Sequence, residues 1–115
     1  MIERTVMDYL EESLQTECRT ERPEDPPARY ILVEKLPSTI REHISISRIA
    51  LQCYAPTLYE AAELSTRAKI AMLEMISLDD IAAVGLESEY NFTNPVDKQP
   101  RYQAVFEITH YEEGV

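Results

Sequence analysis

Glycine is nearly missing from this chain of 115 residues, which has two, Gly85 and Gly114. A P-loop and a GxGxxG dinucleotide fingerprint both need glycines where backbone must approach phosphate, so neither can be written here. Tryptophan is absent, and cysteine is limited to Cys18 and Cys53, far apart and without a CxxC pair. Two reduced, partly buried thiols follow from that spacing, in preference to a disulfide or a metal site. Positive charge is scarce as well: 11 Lys plus Arg stand against 21 Asp plus Glu, a formal net charge of -10. A field of that sign repels duplex DNA and anionic membrane, which excludes a nucleic-acid clamp. No apolar run approaches the ~20 residues of a membrane span, and Met1-Ile2-Glu3-Arg4 does not begin a signal peptide. The expected setting is a reducing cytoplasm, with no membrane partner.

What is present is 44% hydrophobic and 28% charged sequence, the composition of one domain over residues 1–115 with a modest core. Residues 2–18 bring Ile2, Val6, Tyr9, Leu10 and Leu14 into one arc at helical spacing, opposite Arg4, Asp8, Glu11, Glu12 and Gln15. The charged, proline-rich residues 21–28 can neither continue a helix nor join a ladder, and read as a surface connector. Residues 29–36 are a strand signal closed by Pro37-Ser38-Thr39, and residues 42–54 a second strand. In that second strand the apolar positions change parity, from Ile44 and Ile46 to Ile49, Leu51 and Cys53. Either a bulge near Ser47-Arg48 or a hairpin reaching beyond the domain's own core accounts for this.

Thr57 followed by Glu60 is a capping box for a helix over residues 58–77, with Leu58, Ala61, Ala62, Ser65, Ala68, Met72 and Ile76 as its buried arc. Ile70 falls on the opposite side with Tyr59 and Thr66, the position of a partner contact. Residues 84–92 predict a strand with Leu86, Tyr90 and Phe92 on one face and Glu87, Glu89 and Asn91 on the other. After a proline-containing loop, residues 101–111 alternate with Tyr102, Ala104, Phe106 and Ile108 on one side. The fold expected is α+β, a two-layer sandwich of an antiparallel four-stranded sheet with two helices on one face, in the order α-β-β-α-β-β. Leu51, Leu86, Phe106 and Ile108 are expected inside it, and the bare face is expected to be wet and acidic.

Catalytic patterns do not emerge. His43 and His110 lie in different strand patterns without HxxxH or HxxE spacing, and Ser45 and Ser47 read as a solvent face without a GxSxG elbow. The carboxylate pairs Glu11-Glu12, Glu24-Asp25, Asp79-Asp80 and Glu112-Glu113 sit at helix surfaces and element ends, where solvated charge is the default. No catalytic, cofactor-binding or metal-binding residue is expected, and no enzyme activity. Tyr30, Tyr90 and Tyr102 suit a sheet edge or an interface.

The last quarter carries a resemblance. Glu87-Ser88-Glu89-Tyr90-Asn91-Phe92-Thr93-Asn94-Pro95, followed by the stretch from Pro100-Arg101-Tyr102-Gln103 to His110, resembles the C-terminal hairpin of the tail terminator, or tail-completion, proteins of long-tailed bacteriophages and prophages. The opening helix, the strand ending Val33-Glu34-Lys35 and the Tyr59-Glu60-Ala61-Ala62-Glu63-Leu64 helix start are similar to it too. Leu36-Pro37-Ser38-Thr39 departs from the glycines that often follow that strand in such proteins. The resemblance implies a structural subunit of the virion's tail-neck region, assembled in the host cytoplasm. It implies a homo-oligomeric ring, expected as a hexamer, that caps the head-proximal end of the tail tube, stops its polymerisation and offers the head-joining surface. Partners implied are a second copy, the tail tube protein and a head-neck connector, with DNA passing through without tight binding. The subunit interface expected is Ile44, Ile46, Tyr59, Ile70, Tyr90 and Arg101, and the acidic face lining the lumen or solvent Glu87, Glu89 and Glu107. A head-completion or neck adaptor protein, and a small regulatory ligand-binding domain, are the alternatives.

Overall fold

The computed structural model describes residues 2–41 and 44–111, with the backbone alone at 38–41 and 44. His43 and Glu112-Glu113, weighed above for metal or carboxylate chemistry, lie outside the described residues. The chain runs α1 (Ile2–Leu14), β1 (Cys18–Arg19), β2 (Tyr30–Arg41), β3 (Ile44–Tyr54), α2 (Leu58–Glu74), a 3-10 turn (Met75–Ser77), β4 (Ile81–Asn91) and β5 (Arg101–Tyr111). Its strands form one five-stranded sheet in the order β1-β2-β3-β5-β4. The α+β class is as expected, whereas the sheet is mixed: β1 pairs parallel with β2, Cys18 opposite Ile31.

Local chemistry explains that extra strand. Helix α1 stops when Gln15 takes a positive φ of 54°, its N–H still bonded to the Glu11 carbonyl. The Glu11 carboxylate then accepts the Cys18 N–H at 3.0 Å, and Ile31 donates to the Glu17 carbonyl at 2.9 Å. Helix α2 starts where the capping box places it, the Thr57 hydroxyl oxygen accepting the Glu60 N–H at 3.1 Å. Its buried stripe is Ala61, Leu64, Ser65, Ala68, Ala71 and Met72, and the helix gives way to the 3-10 turn at Met75. Leu58 and Ile76, expected inside, are exposed, because Leu58 is the first residue of α2 and Ile76 falls in the 3-10 turn that follows it, at the two ends of the packed stripe.

One core holds the molecule together. Ile2, Val6, Leu10 and Leu14 of α1 and the α2 stripe cover Ile31, Val33, Ile49, Leu51, Cys53, Ala104, Phe106 and Ile108 on a single sheet face. Strand β2 does not end at Pro37: it continues to Arg41, with its register against β3 shifted between Leu36 and Thr39. An edge segment beyond the reach of β1 tolerates a residue that cannot donate to a ladder. The irregularity is therefore in β2, and β3 pairs with β5 without interruption from Ile44 to Tyr54.

That unbroken register reverses one expectation. Ser45 and Ser47 share the helix-side face with Ile49 and are buried, Ser47 completely, while Ile46 points to the opposite face. A polar side chain can occupy the interior when it finds a partner, and Ser47 Oγ lies 2.8 Å from His110 Nε2. Strand β4 supplies a second reversal. Its register against β5 shifts between Leu86 and Ser88, so Leu86 pairs with Phe106 on the helix side and Tyr90 with Gln103 on the other. Leu86, expected in the core, remains 40% exposed because β4 is an edge strand.

Candidate interaction surfaces

The face without helices is neither bare nor uniformly acidic. At one end Tyr30 and Tyr54 stack with ring centroids 4.5 Å apart and are buried. Arg22, from the connector, lies 5.8 Å over the Tyr54 ring, and Arg101 is 5.6 Å from the same centroid. The Arg22 guanidinium also donates to the Asp97 carboxylate at 3.4 Å, so the connector and the loop before β5 are tied across these rings. Burial pushes the Tyr30 phenol above its ordinary range.

From Tyr54 a hydrogen-bonded ladder crosses the sheet. The Tyr54 hydroxyl donates to Gln52 Oε1 at 3.1 Å, and Gln52 Nε2 donates to Gln103 Oε1 at 3.1 Å and to Glu34 Oε2 at 3.4 Å. Gln103 Nε2 in turn reaches the Tyr90 hydroxyl at 2.5 Å, linking β2, β3, β5 and β4 in one line. Arg101 Nη1 donates to the Tyr54 hydroxyl at 2.6 Å and its Nε to the Phe92 carbonyl at 2.6 Å. Both Tyr90 and Arg101 thus belong to a network within the chain, with Tyr90 still 41% exposed.

The expected acidic trio is divided. Glu87 is on this face and receives Arg48 Nε at 3.0 Å and Nη2 at 2.7 Å, while Glu107 pairs directly with Arg48 across the ladder. Their charge is partly neutralised by the guanidinium, which holds Glu87 below the ordinary carboxylate range. Glu89 is on the helix side instead, because the shift after Leu86 turns it over. There it accepts from the Ser65 hydroxyl at 2.9 Å and from Lys69 Nζ at 3.1 Å, joining α2 to the sheet edge.

The remaining interface candidates fall in two places. Ile46 is on the face opposite the helices, half-buried, in the first hairpin, and the Ile44 side chain lies outside the described residues. Tyr59, 76% exposed, and Ile70, 54% exposed, stand on the side of α2 directly away from the core, where Leu73 is exposed as well. Leu73 was legible from helical spacing, three residues beyond Ile70, but only the structure separates it from the buried stripe.

A serine and a histidine in contact suggest nucleophilic chemistry, yet Ser47 is inaccessible and no substrate atom could reach it. Among the described residues, no group of three or more His, Cys, Asp or Glu side chains could hold a metal ion, and no helix is long and apolar enough to cross a membrane. No protein-family model matches the chain, and a search of curated proteins finds no match either.

Proposed function

We propose that the chain is a structural subunit of a ring that terminates a bacteriophage tail, capping the tail tube and presenting the surface to which the head joins. The observation that supports this most is that the sheet has two unlike open flanks. One is β2 beyond its short pairing with β1, next to Ile46; the other is the eleven-residue β4, which carries the exposed apolar residues Leu86 and Tyr90 beside Phe92. Two different surfaces on one subunit suit a head-to-tail contact, which closes into a ring where the rotation between neighbours divides a full turn. The stretches that resemble tail terminators are neighbours in the sheet, β4 with its following loop and β5. A net charge of -10 per subunit would let DNA pass a ring opening without sticking.

Mass measurement in solution, followed by negative-stain imaging with and without tail tubes, tests the reading. A closed ring, expected as a hexamer, seated on one end of the tube supports it. Ile46→Lys, alone and with Ile44→Lys, should leave the monomer folded and abolish the ring. In a phage that encodes the chain, its deletion should give tails of abnormal length or tails without heads. Normal tails in that phage, or tight binding of duplex DNA by the purified protein at physiological salt, would overturn the proposal.

A further inference from the structure

The outward side of α2 carries a stripe of residues whose spacing is symmetric about its centre. Tyr59, Ala62, Thr66, Ile70 and Leu73 follow one another at spacings of three, four, four and three residues, the same read from either end, with Thr66 at the centre. At about 100° per residue these positions form one narrow stripe. It lies diametrically opposite Ala61, Leu64, Ala68 and Met72, which face the core. Tyr59, Ala62 and Thr66 also border a shallow depression together with Glu63 and Arg67.

We propose that two copies of the chain associate through antiparallel α2 helices about a two-fold axis at Thr66. The pattern of sizes is self-complementary under that operation. Tyr59 opposes Leu73 of the other copy, Ala62 opposes Ile70, so that a large side chain meets a small one, and Thr66 meets itself. Charge agrees with size. Glu63 and Arg67 are both exposed and lie on the same flank of the stripe, and a two-fold brings like flanks together. Glu63 of each copy then lies about 3 Å along the axis from Arg67 of the other, within reach of both side chains. Among the described residues Glu63 has no ion-pair or hydrogen-bond partner within the chain, and Arg67 reaches only the Leu14 carbonyl, at 3.5 Å. Two reciprocal ion pairs would therefore run along one side of an apolar seam.

This contact goes beyond the ring reading. It is isologous, whereas the ring contact is head-to-tail, and it uses neither sheet flank, so either can fail while the other stands. Where both hold, the α2 contact joins two rings through their helix layers. One helix per copy is less than the ~800 Å² per partner of a standard interface, so a weak, concentration-dependent pair is expected.

A cysteine on the axis reads the geometry directly. Thr66→Cys should give a disulfide-linked dimer under mild oxidation by oxidised glutathione, since residues on a two-fold meet their own counterparts at bridging distance. Val96→Cys, at a position 89% exposed and far along the chain, is the collision control, and both native cysteines are buried. Sedimentation then tests the charges. Glu63→Arg and Arg67→Glu should each weaken dimerisation about tenfold, and the double exchange should restore it to within about threefold. Equal crosslinking of the Thr66 and Val96 variants, or no rescue by the double exchange, would overturn the two-fold. Rings that persist with Ile70→Glu while the Thr66 crosslink is lost separate this contact from the ring contact.

Discussion

Arg48 holds both carboxylate oxygens of Glu87 from two strands away, reaching over β5, which lies between them. The pair is exposed, so its effect is on titration more than on stability. Replacing Arg48 with Met should return the Glu87 carboxyl toward the ordinary carboxylate range, seen by NMR titration of its side chain. With Arg48 in place, the Glu87 contribution is present above the ordinary carboxylate pKa and is lost as pH falls through the lowered value. An unchanged Glu87 titration in the variant would show that the ion pair does not form in solution.

Ser47 is expected to be structural. Ser47→Ala removes the partner of His110 Nε2 and should cost about 1 to 2 kcal/mol in urea unfolding. A fluorophosphonate probe should leave the folded wild-type protein unlabelled, because the hydroxyl is fully buried. Labelling at Ser47 would contradict that burial.

Leu86 and Phe106 are directly opposed across β4 and β5, yet they carry unequal weight. Phe106→Ala empties a fully buried site and should cost about 3 to 5 kcal/mol. Leu86→Ala, at a position 40% exposed, should cost less than about 1 kcal/mol. Comparable losses in thermal melts would mean that the β4 edge is covered.

The two thiols are expected to be silent. Burial and the nearby carboxylates of Glu11 and Glu17 push Cys18 from its ordinary value of 9.0 up to about 12, and burial pushes Cys53 upward as well. A thiol reagent at pH 8 should label neither until the protein unfolds. The folded state holds these protons more tightly than the unfolded state, so the contribution is complete below pH 9.0 and is lost as pH climbs toward about 12. Rapid labelling of native protein would contradict the burial.

Much of the architecture was legible because periodicity reports which side of an element is covered. Both helices, the four long strands and the Thr57 cap followed from patterns within a few residues. Strand β1 did not, since two residues are too short to show a period and are strand only through pairing with β2. The faces of β4 were legible up to Glu87 and inverted beyond it, because a bulge leaves no mark in composition. Ser47 reads as solvent-facing until His110, 63 residues later, is seen to satisfy it. Arg22 is one charge in a charged segment, and nothing local indicates that it will lie over Tyr54. Among the interface candidates, Tyr59 and Ile70 were legible as outward-facing, being apolar on the wrong side of an amphipathic helix. Arg101 was recognisable as part of a distinctive stretch, but not as the residue that joins Tyr54 to the Phe92 carbonyl.

The position of β5 governs how the chain can be made. It is last of the described strands in sequence, yet it fills the slot between β3 and β4. Until it leaves the ribosome, β3 has an open edge and β4 has no strand to pair with, so the sheet cannot be completed before β5 emerges. Contacts so distant in sequence close slowly, and in the interval the apolar face of β3 is open to other nascent chains. A chain interrupted before Arg101 is therefore expected to be caught by chaperones or to aggregate, because the edge of β3 stays open until β5 covers it.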